Sequence, residues 1–277
     1  MRHWLHLGTA VLLVAASAGA RAADKNWTQQ GEGLKISSSC AKAVEIRPGA
    51  AHQVTIAAKA DHAEEIDRLQ VSGGETASLG LGDHNCWGSG LFGHSNPTLI
   101  LTITVPEGAP VDVKDGGVAH YTIDATVGDL KMALSGAGGV KAGNAKGLTL
   151  SLSGAGDADI GEVSSAHIET SGAGGVKLKA VHGNLEVRLS GANDITVGAI
   201  EAQSADLRIS GHSDIKLGTG SIANLTLNSA GASDLKVEAI VGDANVSLAG
   251  AGEVRLAKLT GNINQSVAGA GKVIVGR

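Results

Sequence analysis

Aromatic side chains are nearly missing from this chain: Trp4, Trp27, Trp87, Phe92 and Tyr121 are all it has in 277 residues. A core without rings must be aliphatic and thin, and ring platforms of the kind common at carbohydrate sites are scarce. Basic runs are missing as well. With a net charge of −5, the electrostatic footprint of a nucleic-acid binder is absent, which excludes nucleic acid as a partner. Long apolar runs are confined to the start, where Arg2 and His3 precede the stretch Leu5 to Ala16 and the small-residue site Ala20-Arg21-Ala22. That pattern predicts a signal peptide over residues 1–22, with cleavage before Ala23 and export to the periplasm, the medium or the cell surface. No later segment is apolar and long enough to span a bilayer as a helix.

Cysteine is limited to Cys40 and Cys86. In an oxidising compartment the two are expected to form a disulfide closing a 46-residue loop, worth about 4 kcal/mol in the chain-entropy model. The competing reading places Asp83, His84, Cys86 and His94 of DHNCWGSGLFGH around zinc or copper with Cys40. That spacing matches no strong metal signature, so neither metal nor cofactor is assigned.

Glycine, by contrast, is abundant, with 41 residues in the chain, and it recurs in a repeated corner: LSGAGG, SGAGD, TSGAGG, LSGAND, ISGHSD, SAGASD, LAGAGE and VAGAGK. The corners begin at Ser135, Ser153, Ser171, Ser190, Ser210, Ala230, Ala249 and Ala268, steps of 18 to 20 residues. Before each corner, apolar residues alternate with polar ones, as in Leu148, Leu150, Leu152 and Leu185, Val187, Leu189. After it they alternate again, as in Val176, Leu178 and Ile195, Val197, with a third inward site at Val163, Val181, Ile200, Ile240 and Leu259. Period two means strands with one buried face. An extended path of this length makes one lap around a narrow prism, so the repeat predicts an all-β, right-handed single-stranded parallel β-helix over residues 111–277. Residues 23–110 lack the repeat but contain strand patterns in HQVTIAAKA, IDRLQV and TLILTITV, and are expected to form an N-terminal β cap.

The corner glycines serve the bend. A dinucleotide loop would open a helix, and a strand follows here; GAGDADI has Ala158 where a calcium β-roll repeat needs aspartate. The outward columns are where binding would show. Asp157, Asp194, Asp214, Asp234 and Glu253 form one column, flanked by Lys177, Lys216, Lys236 and Arg255, so neighbouring cations are expected to offset the stacked acids without calcium. Another face presents Glu186, Arg188, Asp206 and Arg208 among Thr, Ser and Asn. Asp194, Asp214, Asp234, Arg188 and Arg208 are therefore the candidate binding residues. No catalytic residue is assigned: Ser210, His212 and Asp214 crowd one turn, which does not suit a triad.

The SGAGD-type corners, the export signal and the strand TLILTITVPEGAPVDV resemble the GIN-domain family of autotransporter-adhesin heads, over about Thr98 to Arg277. The resemblance implies a β-helix similar to pectin-lyase-like folds, no retained catalytic residues and a part in cell adhesion. A C-terminal membrane-strand pattern with aromatic girdles is lacking. The expected function is a non-enzymatic exported module that binds a surface, glycan or envelope protein; the alternative is a carbohydrate-active protein cleaving an acidic polysaccharide through Arg188, Arg208, Asp194 and Asp214. The final lap, GKVIVGR, has no evident cap, so a homo-oligomer through this C-terminal edge is a further expectation.

Overall fold

The computed structural model describes residues 23–37, 39–81 and 97–276. The strands are β1 (Ala23–Gln30), β2 (Gly33–Ser37), β3 (Ala43–Pro48) and β4 (Gln53–Ala60), followed by a short helix α1 (Ala63–Asp67). Then come β5 (Gln70–Ser72), β6 (Thr76–Gly80), β7 (Ile100–Val105), β8 (Val111–Asp115), β9 (His120–Ile123), β10 (Val127–Leu134), β11 (Gly139–Ala142) and β12 (Ala145–Gly154). Extended backbone next runs almost unbroken through β13 (Ala158–Val181), β14 (Leu185–Ala251), β15 (Glu253–Leu259), β16 (Ile263–Gly269) and β17 (Lys272–Val275).

From β8 onward the strands stack in parallel as successive laps. Leu130 pairs with Val111 and Leu148, Ala166 with Leu148 and Leu185, and Val254 with Leu235 and Val273. The chain is a β-helix. Its corners lie over one another, Ser153 beside Ser171 and Ser171 beside Ser190, so equivalent side chains form rows along the rod. Alternation decides which rows are buried: Leu148, Leu150, Leu185, Val187, Ile195, Val197, Leu235 and Val237 are all inside. Each such side chain contributes about 1.5–3 kcal/mol by leaving water. Ile240 corrects the expected inward row. The register shifts between Val237 and Ile240, so Val241 takes the inward place opposite Leu259 and Ile240 is left 43% exposed.

The segment before Pro110 holds more of the helix than its sequence shows. β2 and β3 make a lap: Leu34 pairs with Val111 and, ten residues on in both segments, Val44 with Tyr121. On its other side this lap carries β6 and β7, where Ala77 pairs with Leu34 and Leu101 with Val44. Space order thus departs from chain order, the β6 and β7 layer lying outside the first lap. Antiparallel strands then interrupt the parallel run, β4 on β7, β1 on β4 and β5 on β6. Of IDRLQV, expected as one strand, Ile66 and Asp67 instead close α1. The Glu65 carboxylate accepts from the Thr98 and Leu99 amides, both at 3.0 Å, and from Thr98 Oγ1 at 2.5 Å, which ties the helix to the approach to β7.

Candidate functional site

The structure separates the five candidate binding residues onto two faces. Arg188 lies just before the Ser190 corner and Asp194 just after it, where Gly191 turns the chain with φ +105°. Asp194, Asp214 and Asp234 are exposed on the strand after the corner; Arg188 and Arg208 are exposed on the strand before it.

Two acids of the column do something other than the expected charge pairing. Asp157 Oδ1 accepts the Gly175 amide and Asp234 Oδ1 the Glu253 amide, each at 2.8 Å and each from the following lap. Asp243 and Asn144 do the same one corner further on, for the amides of Asn262 and Glu162. These oxygens hold lap to lap, completing main-chain bonding where the ladder bends. Of the flanking cations Arg255 does pair within the column, joining Lys272 on Glu253, whereas Lys236 pairs outside it with Glu238 at 2.6 Å, which holds the Glu238 carboxyl below its usual range. Among the described residues Asp194, Asp214 and Asp234 form no ion pair, and no cluster of metal-ligating side chains is present.

The face before the corner is more organised, and two of its members were not singled out by the sequence. His167 stacks beside Glu186, and Glu169 beside Arg188. The four side chains close a ring: His167 Nδ1 lies 2.9 Å from Glu186 Oε2 and its Nε2 3.2 Å from Glu169 Oε1. Arg188 donates to Glu169 Oε1 at 2.7 Å and to Glu186 Oε1 at 2.5 Å. The bond from Arg188, then that from His167, lowers the Glu169 carboxyl below its usual range, and Glu169 in turn raises the guanidinium. Arg208 completes the face by donating to Asp206 Oδ2 at 2.9 Å, while Asp206 Oδ1 is enclosed without a partner. The signal that could have found His167 and Glu169 was the 19-residue step back from Glu186 and Arg188.

A second polar cluster is wholly internal. Asp115 is 6% exposed, Ser39 and Tyr121 less. Asp115 Oδ2 accepts from Ser39 Oγ at 2.6 Å and from Tyr121 OH at 2.5 Å, and Oδ1 accepts the Gly117 amide at 3.1 Å. Burial first, then the Asp115 charge, pushes the Tyr121 phenol well above its ordinary 10.0. The cluster clamps the corner of the first lap onto the next. Its three side chains are buried and bonded to one another, which makes the cluster architecture.

Ser210, His212 and Asp214 form no triad. Ser213 faces inward at 1% exposure, and its neighbours His212 and Asp214 face out. Cys86, the metal candidates Asp83, His84 and His94, and the signal peptide lie outside the described residues. Cys40 sits half-buried in the corner between β2 and β3, at φ 46°. Among the described residues no helix is long and apolar enough to cross a membrane.

Residues 177–276 match the family described as "Putative auto-transporter adhesin, head GIN domain", in keeping with the resemblance carried by the corner motifs. The match is narrower than the span from Thr98, because it takes in only the later laps. Among solved structures, a "putative adhesin" from Parabacteroides merdae is 12% identical with a TM-score of 0.51, covering 93% of this chain and 97% of that one. A "putative adhesin" from Bacteroides fragilis is 13% identical with a TM-score of 0.47, covering 93% and 98%. At such identity the likeness is one of fold. No curated protein matches the chain.

Proposed function

We propose that this chain, whose later laps match the GIN-domain family, is an adhesin-like, exported, non-enzymatic binding module acting at the cell envelope or surface. The observation that carries this reading is the face of His167, Glu169, Glu186, Arg188, Asp206 and Arg208. Its charged groups bond to one another on a rigid ladder. Groups poised for proton transfer or nucleophilic attack need a free partner and a shifted pKa suited to the task; here the ring closes on itself. The competing reading, cleavage of an acidic polysaccharide, loses its cationic subsites because Arg188 and Arg208 are held by carboxylates, and its acids Asp194 and Asp214 stand across the corner.

The exported chain immobilised on beads is expected to retain envelope fractions or intact cells, and to release no new reducing or unsaturated ends from polygalacturonate. Saccharide ends that vanish in Asp214→Ala would overturn the non-enzymatic reading. Val267 and Val275, exposed on β16 and β17, are the side chains a second copy would cover, and light scattering of the same preparation reads that oligomer.

We also propose the Cys40–Cys86 disulfide. Gly80 at the end of β6 pairs with Ser37 and Ile100 at the start of β7 with Ala43, so the described ends of the stretch that contains Cys86 flank the corner that holds Cys40. Mass spectrometry of the unreduced protein is expected to show two hydrogens fewer than the dithiol mass and no alkylation; two alkylated thiols would refute the bridge.

A further inference from the structure

On the face before the corner lies an open groove of about 530 Å³, crossing five laps from Asp129 to Asp206. In the row Asp129, Gly147, Ser165 the glycine lets the Asp129 carboxylate lean over it, since a Cβ there would come within 2.8 Å of Asp129 Oδ1. The groove wall continues through Asn184 and Glu186, the latter fixed by His167 and Arg188. Ser204 Oγ donates to Asn184 Oδ1 at 3.0 Å, which leaves the Asn184 amide nitrogen as a donor. Asp206 Oδ1 is an enclosed acceptor with no donor.

We propose that this groove binds a neutral, polyhydroxylated glycan chain lying along the rod axis. The proposal rests on the reading of the chain as a binding module and supplies its ligand class. Three features select that class. Carboxylate, amide and hydroxyl groups together suit hydroxyls, each of which both donates and accepts. An acidic chain is disfavoured, since Arg188 and Arg208 are already paired with Glu186 and Asp206, and the groove's lysine, Lys131, is matched by Asp129. Spacing is the third: laps repeat about every 4.8 Å, close to the length of one sugar unit, whereas an extended peptide repeats its side-chain face about every 6.6 Å and drifts out of step. Because no Trp, Tyr or Phe follows residue 121 in the chain, the laps lining the groove offer none to stack on the sugar, so affinity must build from weak contacts repeated over several laps.

Titration calorimetry on the exported chain would use cellohexaose, mannohexaose, their trisaccharides and a galacturonate hexamer. At least one neutral hexasaccharide is expected to bind with Kd of roughly 10⁻⁴ to 10⁻³ M, about tenfold tighter than its trisaccharide. Gly147→Ile, which displaces the Asp129 carboxylate and intrudes on the groove, and Asn184→Ala are each expected to weaken binding about tenfold, a change of about 1.4 kcal/mol, with the thermal midpoint checked in both. No hexasaccharide binding, preference for galacturonate, or binding indifferent to both variants would overturn the proposal. Bead retention of cells with no hexasaccharide binding removes the glycan groove and leaves the adhesin-like reading standing; hexasaccharide binding without retention removes the latter alone.

Discussion

Gly211→Ala is expected to cost about 3 kcal/mol or more, a loss read as a lower urea midpoint. Gly211 turns the Ser210 corner at φ +126°, where a residue with a Cβ is strained, and the added carbon would overlap the Gly191 carbonyl of the lap beneath. Neither backbone can move aside, because each is held in the ladder on both sides. The same relation links Gly172 to Gly154, Gly191 to Gly172, Gly231 to Gly211 and Gly250 to Gly231, so each corner is seated on the one before. The control lies one residue along. Ala192 is exposed on the outer side of its bend, and His212 fills the equivalent place a lap later. Ala192→His is therefore expected to stay within about 0.5 kcal/mol of the parent. Equal losses in the two variants would mean that the bend tolerates no change at all, and that the close approach of laps is not its cause.

This contrast shows what was legible in the sequence. The period, the inward rows and the corners could be read because each lap must repeat the same steric solution on its neighbour, and that repetition is written in glycine and leucine. The β2 and β3 lap was hidden because its corner obeys another chemistry: where later laps place glycine, it places Ser39 against Asp115 and Tyr121. Ile240 misled because a one-residue slip in a strand exchanges its two faces. At the candidate site the columns were visible, but their use was not. Aspartate in a column looks like surface charge, and only coordinates show Asp157 and Asp234 accepting amides from the following lap. Arg188 likewise read as a solvated surface charge, with contact to an acidic polymer as the alternative, and its partner Glu169 lay one lap earlier than the residues considered with it.

The single tyrosine makes the buried clamp directly measurable. In the native chain no phenolate absorbance is expected as pH rises through 10, and the signal should appear only together with loss of β structure by circular dichroism. Burial and the Asp115 charge hold the Tyr121 pKa above its unfolded value of 10.0. A phenol that ionises less readily when folded lends its full stabilisation below pH 10. That contribution fades as pH climbs further, because the unfolded chain then loses a proton that the folded chain keeps. Tyr121→Phe removes this alkaline limb. It also deprives a 6% exposed carboxylate of a 2.5 Å donor, at an expected cost near neutral pH of about 2–3 kcal/mol. Asp115→Asn keeps the shape and removes the charge, so the phenol should titrate earlier than in the parent but still above 10, since desolvation remains its leading cause. A reversible phenolate titration near pH 10 with the circular dichroism unchanged would show that Tyr121 is open to water, and the first lap would then have to be held to the helix by its main-chain ladder alone. The clamp matters to the proposed module because β2 joins the helix through β8, so loosening Ser39, Asp115 and Tyr121 frees the very layer that separates the antiparallel strands from the laps bearing the groove.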